Sequence, residues 1–502
     1  MRACLCVAAV VSVFGCSSGQ QSSGGPDAGA ATRTVSGALA TVYRAQDGGE
    51  VSKPFDNTGR ETKVVAAWVL TDGGYEKLSV ANDGGVAFTI EGVPEGSYYL
   101  QVDVDAPGSG PGFNTPQAFE ASFYPFTTST PDLSSRGPGR PDLAGDQGAT
   151  VNATIDGLLP WTVNDRITLQ GESIDSEADS LTSVLADAGV TSVSKKFFFG
   201  GLPDASKGDV EYVYQLSASD AGSGATAGSV RAASRFAQLD LTLADGSTTN
   251  LSLTLGAPAQ TGTLSGNLAG SKWAAMLQQS GPSATLIAGG QLYRVLTYPA
   301  PASFPDQIRS QIGLLASVTS PPLVNVDYGA VTYGQFLGAQ SQEVRSFVLT
   351  ADYKLPQPGT SATVDTFNVF YQSEELMPAA ANLSPTLGPP LSPRIQGLDA
   401  LQAQTGVTLS PVISWSAPSL GAPTSYVVTI GAASGTPVYV DLTFNVYGAT
   451  SLQIPAGLLE KGATYAATIT AFQAPWDVPG HAPLRHGVPS VAASTVTAVF
   501  AP

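Results

Sequence analysis

Short apolar runs that alternate residue by residue with polar ones are the feature that most constrains how this sequence folds. Residues 212–216, 236–243 and 251–255 alternate in this way. Such alternation places one face of a strand inward and the other face toward water. The sequence therefore predicts a mainly β fold, built of several tandem β-sandwich domains with a few short helices.

Glycine-rich turns separate the first of these runs. Asp-Gly-Gly occurs at Asp47, Asp72 and Asp83, each time between strand-like segments. Asp-Gly is typical of hairpin turns, because type I′ turns need positive φ. A calcium loop is the alternative, but calcium needs six to eight converging oxygens and the Asp-x-Asp-x-Asp spacing is missing. We therefore expect three hairpins here.

The charge balance excludes one class of partner. The 502 residues carry a formal charge of −17, and Lys plus Arg number only 23. Because nucleic-acid binding depends on cations that neutralise phosphates, we expect no nucleic-acid partner. Charged residues make up 13% of the chain, against about 25% in typical globular proteins. The hydrophobic fraction of 43% nevertheless argues against wholesale disorder.

A basic residue and an apolar run open the chain. Arg2 precedes residues 5–14, a run too short to cross a bilayer as a helix. The sequence Val-Phe-Gly-Cys at residues 13–16 resembles the lipobox of bacterial lipoproteins. That resemblance implies cleavage before Cys16, diacylglycerol on its sulfur and acylation of its new amino group. The alternatives are an ordinary signal peptide cut elsewhere and an uncleaved anchor.

Residues 1–15 are therefore expected to be a signal peptide, and residues 16–33 a flexible tether of small polar residues. Two or more acyl chains hold a protein firmly at a membrane. Ser17 rather than Asp follows Cys16, which by the same resemblance favours the outer membrane. The other two cysteines lie in the signal peptide, so the exported body is expected to have no disulfide or cysteine nucleophile.

The first folded segment has a recognisable ending. Residues 86–103 contain a strand, a Gly-Val-Pro-Glu-Gly turn and a strand that begins with two tyrosines. This arrangement resembles the closing strands of prealbumin-like and carboxypeptidase-regulatory-like sandwiches. The resemblance implies a fold and says almost nothing of function. Residues 34–105 are accordingly expected to form a prealbumin-like β-sandwich.

Residues 106–149 are rich in proline and glycine, a composition typical of a linker or a functional loop. Aromatic residues interrupt this predicted linker, among them Tyr124 and Phe126. We expect these rings to pack on a neighbouring domain. A platform on which sugar rings stack is the alternative.

Strand-like runs resume at residue 150. They predict a β-sandwich over 150–256 and a β-rich domain over 257–390, unless the two regions form one composite body. Helical spacing of apolar residues within 176–189 and within 271–281 predicts two short helices.

Residues 391–502 form the most recognisable domain. Residues 411–418 and 424–430 resemble the B and C strands of fibronectin type III domains. Residues 451–471 resemble the E strand, the E–F turn and the F strand of the same family.

This resemblance implies structural roles for three aromatic side chains. Trp415 and Tyr426 are expected in the core, and Tyr465 is expected at the tyrosine corner, with its hydroxyl bonded to backbone. The sequence has no Arg-Gly-Asp, so integrin-type recognition does not carry over.

Catalytic motifs are weak. The Gly-x-Ser-x-Gly pattern at residues 15–19 straddles the expected cleavage site, and Ser-x-x-Lys at 192–195 lacks the partner motifs of penicillin-binding folds. The two histidines, His481 and His486, lie near Asp477 in a proline-rich segment, where we expect exposed loop residues rather than a metal site. We therefore expect no cofactor and no bound metal.

These observations together predict a lipid-anchored, exported, modular β protein with a structural or partner-binding role and no catalytic activity. Its expected partners are the membrane, through Cys16, and envelope proteins or polysaccharide. One alternative is a polysaccharide-binding adhesin that uses Tyr124, Phe126 or Trp476. The other is a hydrolase carried by residues 150–390, because paired carboxylates suit glycosidases.

Overall fold

The computed structural model describes residues 31–44, 50–55, 61–72, 74–82, 86–105, 119–136, 142, 144–171, 187–221, 228–268, 270–299, 313–319, 325–337, 341–376, 380–433, 440–474, 484 and 489–502. Strands make up 64% of it and helix 3%. The mainly β fold class predicted from the sequence is therefore confirmed.

The structure contains 32 strands and one α-helix within the described residues. The N-terminal strands are β1 Thr32–Arg44, β2 Glu50–Pro54, β3 Glu61–Thr71, β4 Gly74–Ser79, β5 Ala81–Asn82, β6 Ala87–Pro94, β7 Tyr98–Asp105, β8 Phe119–Phe126 and β9 Leu133–Arg136. The middle region contains β10 Ala144–Asp156, β11 Arg166–Gly171, β12 Ser192–Gly201, a 3-10 turn at Ala205–Lys207, β13 Glu211–Ala221, β14 Gly228–Leu239, β15 Thr248–Thr254, β16 Gln260–Leu268, helix α1 Gly270–Leu277, β17 Thr285–Pro299, β18 Gly313–Thr319, β19 Val326–Gln335, β20 Ser341–Pro356, β21 Thr363–Leu376 and β22 Ala380–Leu383.

The C-terminal region contains the remaining strands. They are β23 Leu391–Ile395, β24 Leu398–Asp399, β25 Gln404–Thr405, β26 Val412–Ser416, β27 Ser425–Ala432, β28 Val440–Val446, β29 Ser451–Gln453, β30 Tyr465–Gln473, β31 Ser490–Val496 and β32 Phe500–Ala501.

One continuous sheet, which we call the main sheet, runs through all three regions. Its strand order is β11-β13-β14-β18-β17-β20-β21-β31-β30-β27-β28-β8-β7-β3-β4. Every neighbouring pair is antiparallel except β28 and β8, which run parallel. The short strands β25 and β32 join the sheet beside β30. Main-chain hydrogen bonds therefore connect the N-terminal, middle and C-terminal strands.

Four smaller sheets enclose hydrophobic cores against the main sheet. Their strand orders are β2-β1-β6-β5, with β9 parallel to β1, then β12-β10-β15, β19-β16-β22 and β24-β23-β26-β29. The first core joins Leu39 and Ile90 to Val64 and Leu100 of the main sheet. Alternation explains these contacts, because every second side chain of a strand faces the opposite sheet.

The middle region has two cores on one stretch of main sheet. The first, between the β12-β10-β15 sheet and β11 with β13, contains Val151, Phe197 and Val213. The second belongs to a larger core that continues into the C-terminal region. Because β14 pairs with both β13 and β18, residues 150–256 and 257–390 share main-sheet hydrogen bonds.

Helix α1, Gly270–Leu277, overlaps the predicted segment 271–281 and confirms that a short helix forms there. Trp273, Met276 and Leu277 are buried on one face of the helix. The Trp273 indole packs edge-on against Tyr371 with ring centroids 4.5 Å apart, and its Nε1 donates to the Leu383 carbonyl at 2.9 Å. The other predicted helix, 176–189, falls almost wholly outside the described residues.

The three predicted hairpins all join antiparallel neighbours. The strands on either side of Asp47 are β1 and β2, those beside Asp72 are β3 and β4, and those beside Asp83 are β5 and β6. At Asp72 the register pairs Thr71 with Gly74, which leaves a two-residue loop. Gly74 has φ +111°, a backbone conformation that favours glycine. The hairpin interpretation is therefore confirmed at Asp72. Asp47 and Asp83 lie outside the described residues, and there the antiparallel pairing of the flanking strands agrees with the interpretation.

The predicted linker at 106–149 is wrong for its described part. Strands β8 and β9 lie inside it, and β10 begins there. β8 pairs with β7 along its whole length, and β9 pairs in parallel with β1, so both strands belong to the N-terminal sandwich. Proline and glycine content misled the prediction because the aromatic segment 119–126 supplies a full strand within the glycine-rich sequence.

The C-terminal region is a sandwich of two sheets. β26 and β29 belong to one sheet, while β27 pairs with β30 in the other. These four strands lie where the fibronectin type III resemblance places strands B, E, C and F. Both outer strands of the second sheet are covered by other regions, because β28 pairs with β8 and β31 pairs with β21.

The junction between β8 and β28 generates a prediction for stability. Phe123 and Phe444 are directly opposite in the register, both fully buried, with stacked rings 4.2 Å apart. Phe444→Ala leaves a cavity and is expected to lower the free energy of unfolding by about 3–5 kcal/mol. A double-mutant cycle with Phe123→Ala should give a coupling of about 0.5–1.5 kcal/mol.

Urea unfolding of the full chain measures both quantities. Leu398→Ala is the matched control, because Leu398 is 63% exposed and its removal leaves no cavity. Additive effects of the two phenylalanine variants would contradict direct stacking across the junction.

Candidate functional site

Tyr124 and Phe126, the described members of the alternative sugar-stacking platform, occupy packing positions. Phe126 is only 2% exposed, and its ring centroid lies 6.3 Å from that of Tyr98. Tyr124 is half-buried and packs against the N-terminal core. Phe126 therefore offers no open face for sugar stacking. Trp476 and Cys16 lie outside the described residues.

The three predicted structural aromatics are all buried in the C-terminal sandwich. Trp415 and Tyr426 meet edge-on with ring centroids 5.1 Å apart, and both are buried. Tyr465 is 4% exposed, and its hydroxyl oxygen accepts a hydrogen bond from the Glu460 backbone N–H at 2.9 Å. Burial raises the pKa of Tyr465 above its ordinary value. The contact closes the loop before β30 back onto the strand.

The Ser-x-x-Lys motif at 192–195 does not form a site. It lies on β12, where Ser192 is exposed and Lys195 is buried. Residues three apart on a strand point to opposite faces of the sheet. The two side chains are therefore separated by the sheet itself, and the motif is a coincidence of sequence.

The buried carboxylate of Asp165 is structural. Asp165 accepts hydrogen bonds from the backbone N–H groups of Thr162 and Ala218 at 3.1 and 2.7 Å. It also accepts from the Thr162 hydroxyl at 2.6 Å and from Gln215 Nε2 at 2.9 Å. These bonds fix the turn before β11 onto β13 and leave this carboxylate fully engaged in the fold.

No group of three or more His, Cys, Asp or Glu side chains in the described part of the chain could hold a metal ion. His481, His486 and Asp477 lie outside that part. None of the helices that the structure describes has the length and apolar character needed to cross a membrane.

A surface that the sequence analysis did not identify lies on the outer side of the β12-β10-β15 sheet. We call it the polar face; it consists of the even-numbered residues of 150–156, 192–198 and 248–254. All of them are exposed except Thr150, which is half-buried. The odd-numbered neighbours Val151, Phe197 and Leu253 point to the core. This strict alternation explains why the outward positions form one continuous surface.

Register arranges the polar face in four rows of three residues. One row is Phe198, Thr150 and Thr248, and the next is Lys196, Asn152 and Asn250. Within the second row Asn152 Nδ2 donates to Asn250 Oδ1 at 3.1 Å.

The other two rows of the polar face contain only serine and threonine, apart from Asp156 on the central strand β10. The face is therefore a grid of hydroxyl and amide groups with one ring, one ammonium and one carboxylate.

Phe198 is the one large apolar side chain on the polar face, and it is 50% exposed. Its ring lies against Gly148, because a Cβ built there would come within 2.6 Å of Phe198 Cζ. Gly148 also has φ +66°, which favours glycine at this bulge in β10. The missing side chain lets the ring rest on backbone with one part open to solvent.

A sequence signal for this surface exists in the pattern of polar residues. Residues 150–156 read Thr-x-Asn-x-Thr-x-Asp and residues 248–254 read Thr-x-Asn-x-Ser-x-Thr. Each pattern alone predicts only a strand with one solvent-exposed face. The parallel pairing of β10 with β15 brings the two patterns together, and local sequence does not reveal that pairing.

Comparison with known proteins gives no family. No protein-family model matches the chain, and no curated protein matches it in sequence. Among solved structures, the FN1-FN3 domains of chicken CNTN1 are 13% identical, cover 70% of this chain and 99% of their own, and superpose with a TM-score of 0.15.

Two bacterial structures are similarly distant. The TIE protein of Bacillus anthracis is 11% identical over 89% of this chain and 70% of its own, with a TM-score of 0.12. The BSP domain of a biofilm-associated protein is 8% identical over 88% and 93%, with a TM-score of 0.11. TM-scores this low do not establish a common fold or function.

The tyrosine contact in the C-terminal sandwich predicts the effect of one substitution. Tyr465→Phe removes the acceptor of the Glu460 N–H and leaves that donor unsatisfied. The expected loss in the free energy of unfolding is about 1–3 kcal/mol, measured by urea unfolding of the full chain. Val412→Ala, at an exposed position of β26, is the control. A Tyr465→Phe protein as stable as the control would contradict a structural role for this hydroxyl.

Buried tyrosines predict a loss of stability in alkali. Burial raises the pKa of Tyr353 to about 12, although the Ser280 hydroxyl, 3.2 Å from its own, lowers it somewhat. Burial also raises the pKa of Tyr98 and Tyr99. Between about pH 10 and 12 the unfolded chain binds fewer protons at these phenols than the folded chain. The free energy of unfolding should therefore fall as pH rises through this window. Below about pH 10 the phenols are protonated in both states, so they do not make the stability depend on pH.

Urea unfolding at about pH 8 and about pH 11 measures the change. Each tenfold difference in proton affinity between the folded and unfolded phenol contributes up to about 1.4 kcal/mol. Tyr353→Phe should show a smaller decrease between the two pH values, whatever its absolute stability. An equal decrease in the variant and the parent would contradict the contribution of Tyr353.

Proposed function

We propose that this chain is a lipid-anchored, exported module of a bacterial cell envelope that acts as a structural or partner-binding body and is not an enzyme. The observation that carries the structural role is the main sheet. Its hydrogen bonds join every region of the described chain, including the C-terminal sandwich, which pairs with other regions at both outer strands. A body connected in this way suits a scaffold that holds a binding surface at a fixed place.

The proposed location rests on the N-terminal sequence. The junction Phe14-Gly15-Cys16 after an apolar run supports lipidation at Cys16, and Ser17 supports sorting to the outer membrane, on its periplasmic side or at the cell surface. A prealbumin-like first sandwich and a fibronectin type III-like last one are parts of the same proposal. The strand positions in the C-terminal region support the second of these.

The alternative of a hydrolase in residues 150–390 has less support. Asp165 accepts four hydrogen bonds from protein groups. The side chain of Glu374, which is 1% exposed, accepts from Gln372 Nε2 at 2.8 Å. Hydrogen bonds of this kind to buried carboxylates stabilise a fold, whereas glycoside hydrolysis needs two carboxyl groups that face a substrate.

The adhesin alternative is supported instead by the polar face.

The lipid anchor predicts the outcome of one substitution in the signal region. Cys16→Ser removes the sulfur that would carry diacylglycerol, so the protein should leave the membrane fraction or remain unprocessed. Cys6→Ser is the matched control, because Cys6 lies in the apolar segment before the expected cleavage site. It should leave lipidation and membrane attachment unchanged.

Mass spectrometry of the mature N-terminus, together with membrane fractionation, measures both variants. The parent should begin at Cys16 and carry the mass of its acyl chains. An unmodified terminus beyond Ser17 in the parent would sink the proposed anchor.

A further inference from the structure

The dimensions of the polar face limit what can bind there. Neighbouring strands are about 4.8 Å apart, and outward residues on one strand are about 6.7 Å apart. Four rows of three residues therefore cover roughly 20 by 10 Å, or about 200 Å². A stable protein–protein interface needs about 800 Å² from each partner. The polar face is too small for a second copy of the chain or another folded protein.

The composition of the polar face also argues against a protein partner. Protein interfaces concentrate aromatic and apolar residues at their centres, whereas Phe198 is the only large apolar residue in this grid. Serine, threonine and asparagine side chains both donate and accept hydrogen bonds. Sugar hydroxyls have the same double capacity, so a grid of such groups can satisfy a row of sugars without burying an unpaired partner.

The charge of the polar face selects among sugars. Lys196 and Asp156 are its only charged residues, and they balance each other, although the whole chain carries −17. An anionic polymer would meet one cation on a strongly acidic protein, so it gains little from this surface. An uncharged ligand incurs no such repulsion.

Phe198 supplies the stacking element. Its ring is half exposed and rests on the Gly148 backbone, which limits its movement. The carbon-bound hydrogens of a sugar ring form an apolar patch that packs on an aromatic face. A fixed ring beside hydroxyl and amide rows combines an apolar contact with polar groups that orient the ligand.

We propose that the polar face binds a neutral polysaccharide, with one sugar stacked on Phe198 and its neighbours hydrogen-bonded to Asn152, Asn250 and the threonine and serine rows. This inference rests on the proposed export of the chain, because it places the surface among extracellular or envelope glycans. It does not depend on Tyr124, Phe126 or Trp476.

Binding is tested with the purified full chain and four neutral probes. Co-sedimentation with microcrystalline cellulose and chitin, and affinity electrophoresis in gels containing dextran or mannan, measure the bound fraction. The expected result is binding to at least one neutral probe that persists at high salt. Phe198→Ala and Asn152→Ala should each weaken it about tenfold or more, as removal of a central contact does.

Two further variants separate the proposed contacts from general effects. Phe198→Tyr keeps the ring and should retain binding. Leu398→Ala removes an exposed apolar residue from the C-terminal sandwich and should also retain it. Urea unfolding checks that each variant is as stable as the parent, and Asn152→Ala remains decisive if Phe198→Ala misfolds.

Four outcomes overturn the proposal. They are binding to none of the neutral probes, unchanged binding by both Phe198→Ala and Asn152→Ala, binding only to anionic polygalacturonate that salt abolishes, and a dimer in sedimentation velocity that Phe198→Ala dissociates. The last would assign the face to a second copy. None of these results bears on lipidation at Cys16, so failure of this inference and failure of the proposed anchor are distinguishable.

Discussion

The pairing of strands from distant parts of the chain is the constraint on which this structure depends. The outer strands of a sheet present unpaired backbone groups that must find partners or stay in water. In the C-terminal sandwich β28 takes β8 as its partner and β31 takes β21. These two pairings join three regions into the main sheet. The smaller sheets then cover hydrophobic residues along it, and the stacked rings of Phe123 and Phe444 pack where the N-terminal and C-terminal regions meet.

Local order was predictable from the sequence, and long-range order was not. The burial of Tyr465 in the C-terminal sandwich was predicted, and on β30 every second residue from Tyr465 to Ile469 is buried, because strand periodicity is a local property. The hairpins and helix α1 were predictable for the same reason. The role of residues 119–126 was not, because a strand is defined by the backbone it pairs with, and here that backbone lies at residues 98–105 and 440–444.

The candidate binding surface shows the same division. The solvent-exposed face of each strand could be predicted, since polar residues recur at every second position of 150–156 and 248–254. Their union into one surface depends on a parallel pairing between segments about a hundred residues apart. The position of Phe198 depends further on the absence of a side chain at Gly148. The contact between these two residues cannot be read from the periodicity of the sequence. Aromatic content alone offered Tyr124 and Phe126 as the alternative binding residues, and both pack at the N-terminal core.

The parallel pairing of β8 with β28 also sets a sequence of events in time. A ribosome adds residues N-terminus first, so β8 exists before its second partner. That partner follows about 300 residues later, or roughly 15–60 s at ordinary rates of synthesis. During this interval one edge of β8 is open to any other strand that can pair with it. The nascent protein therefore depends on whatever keeps that edge unoccupied until β28, near the C-terminal end of the chain, has been made.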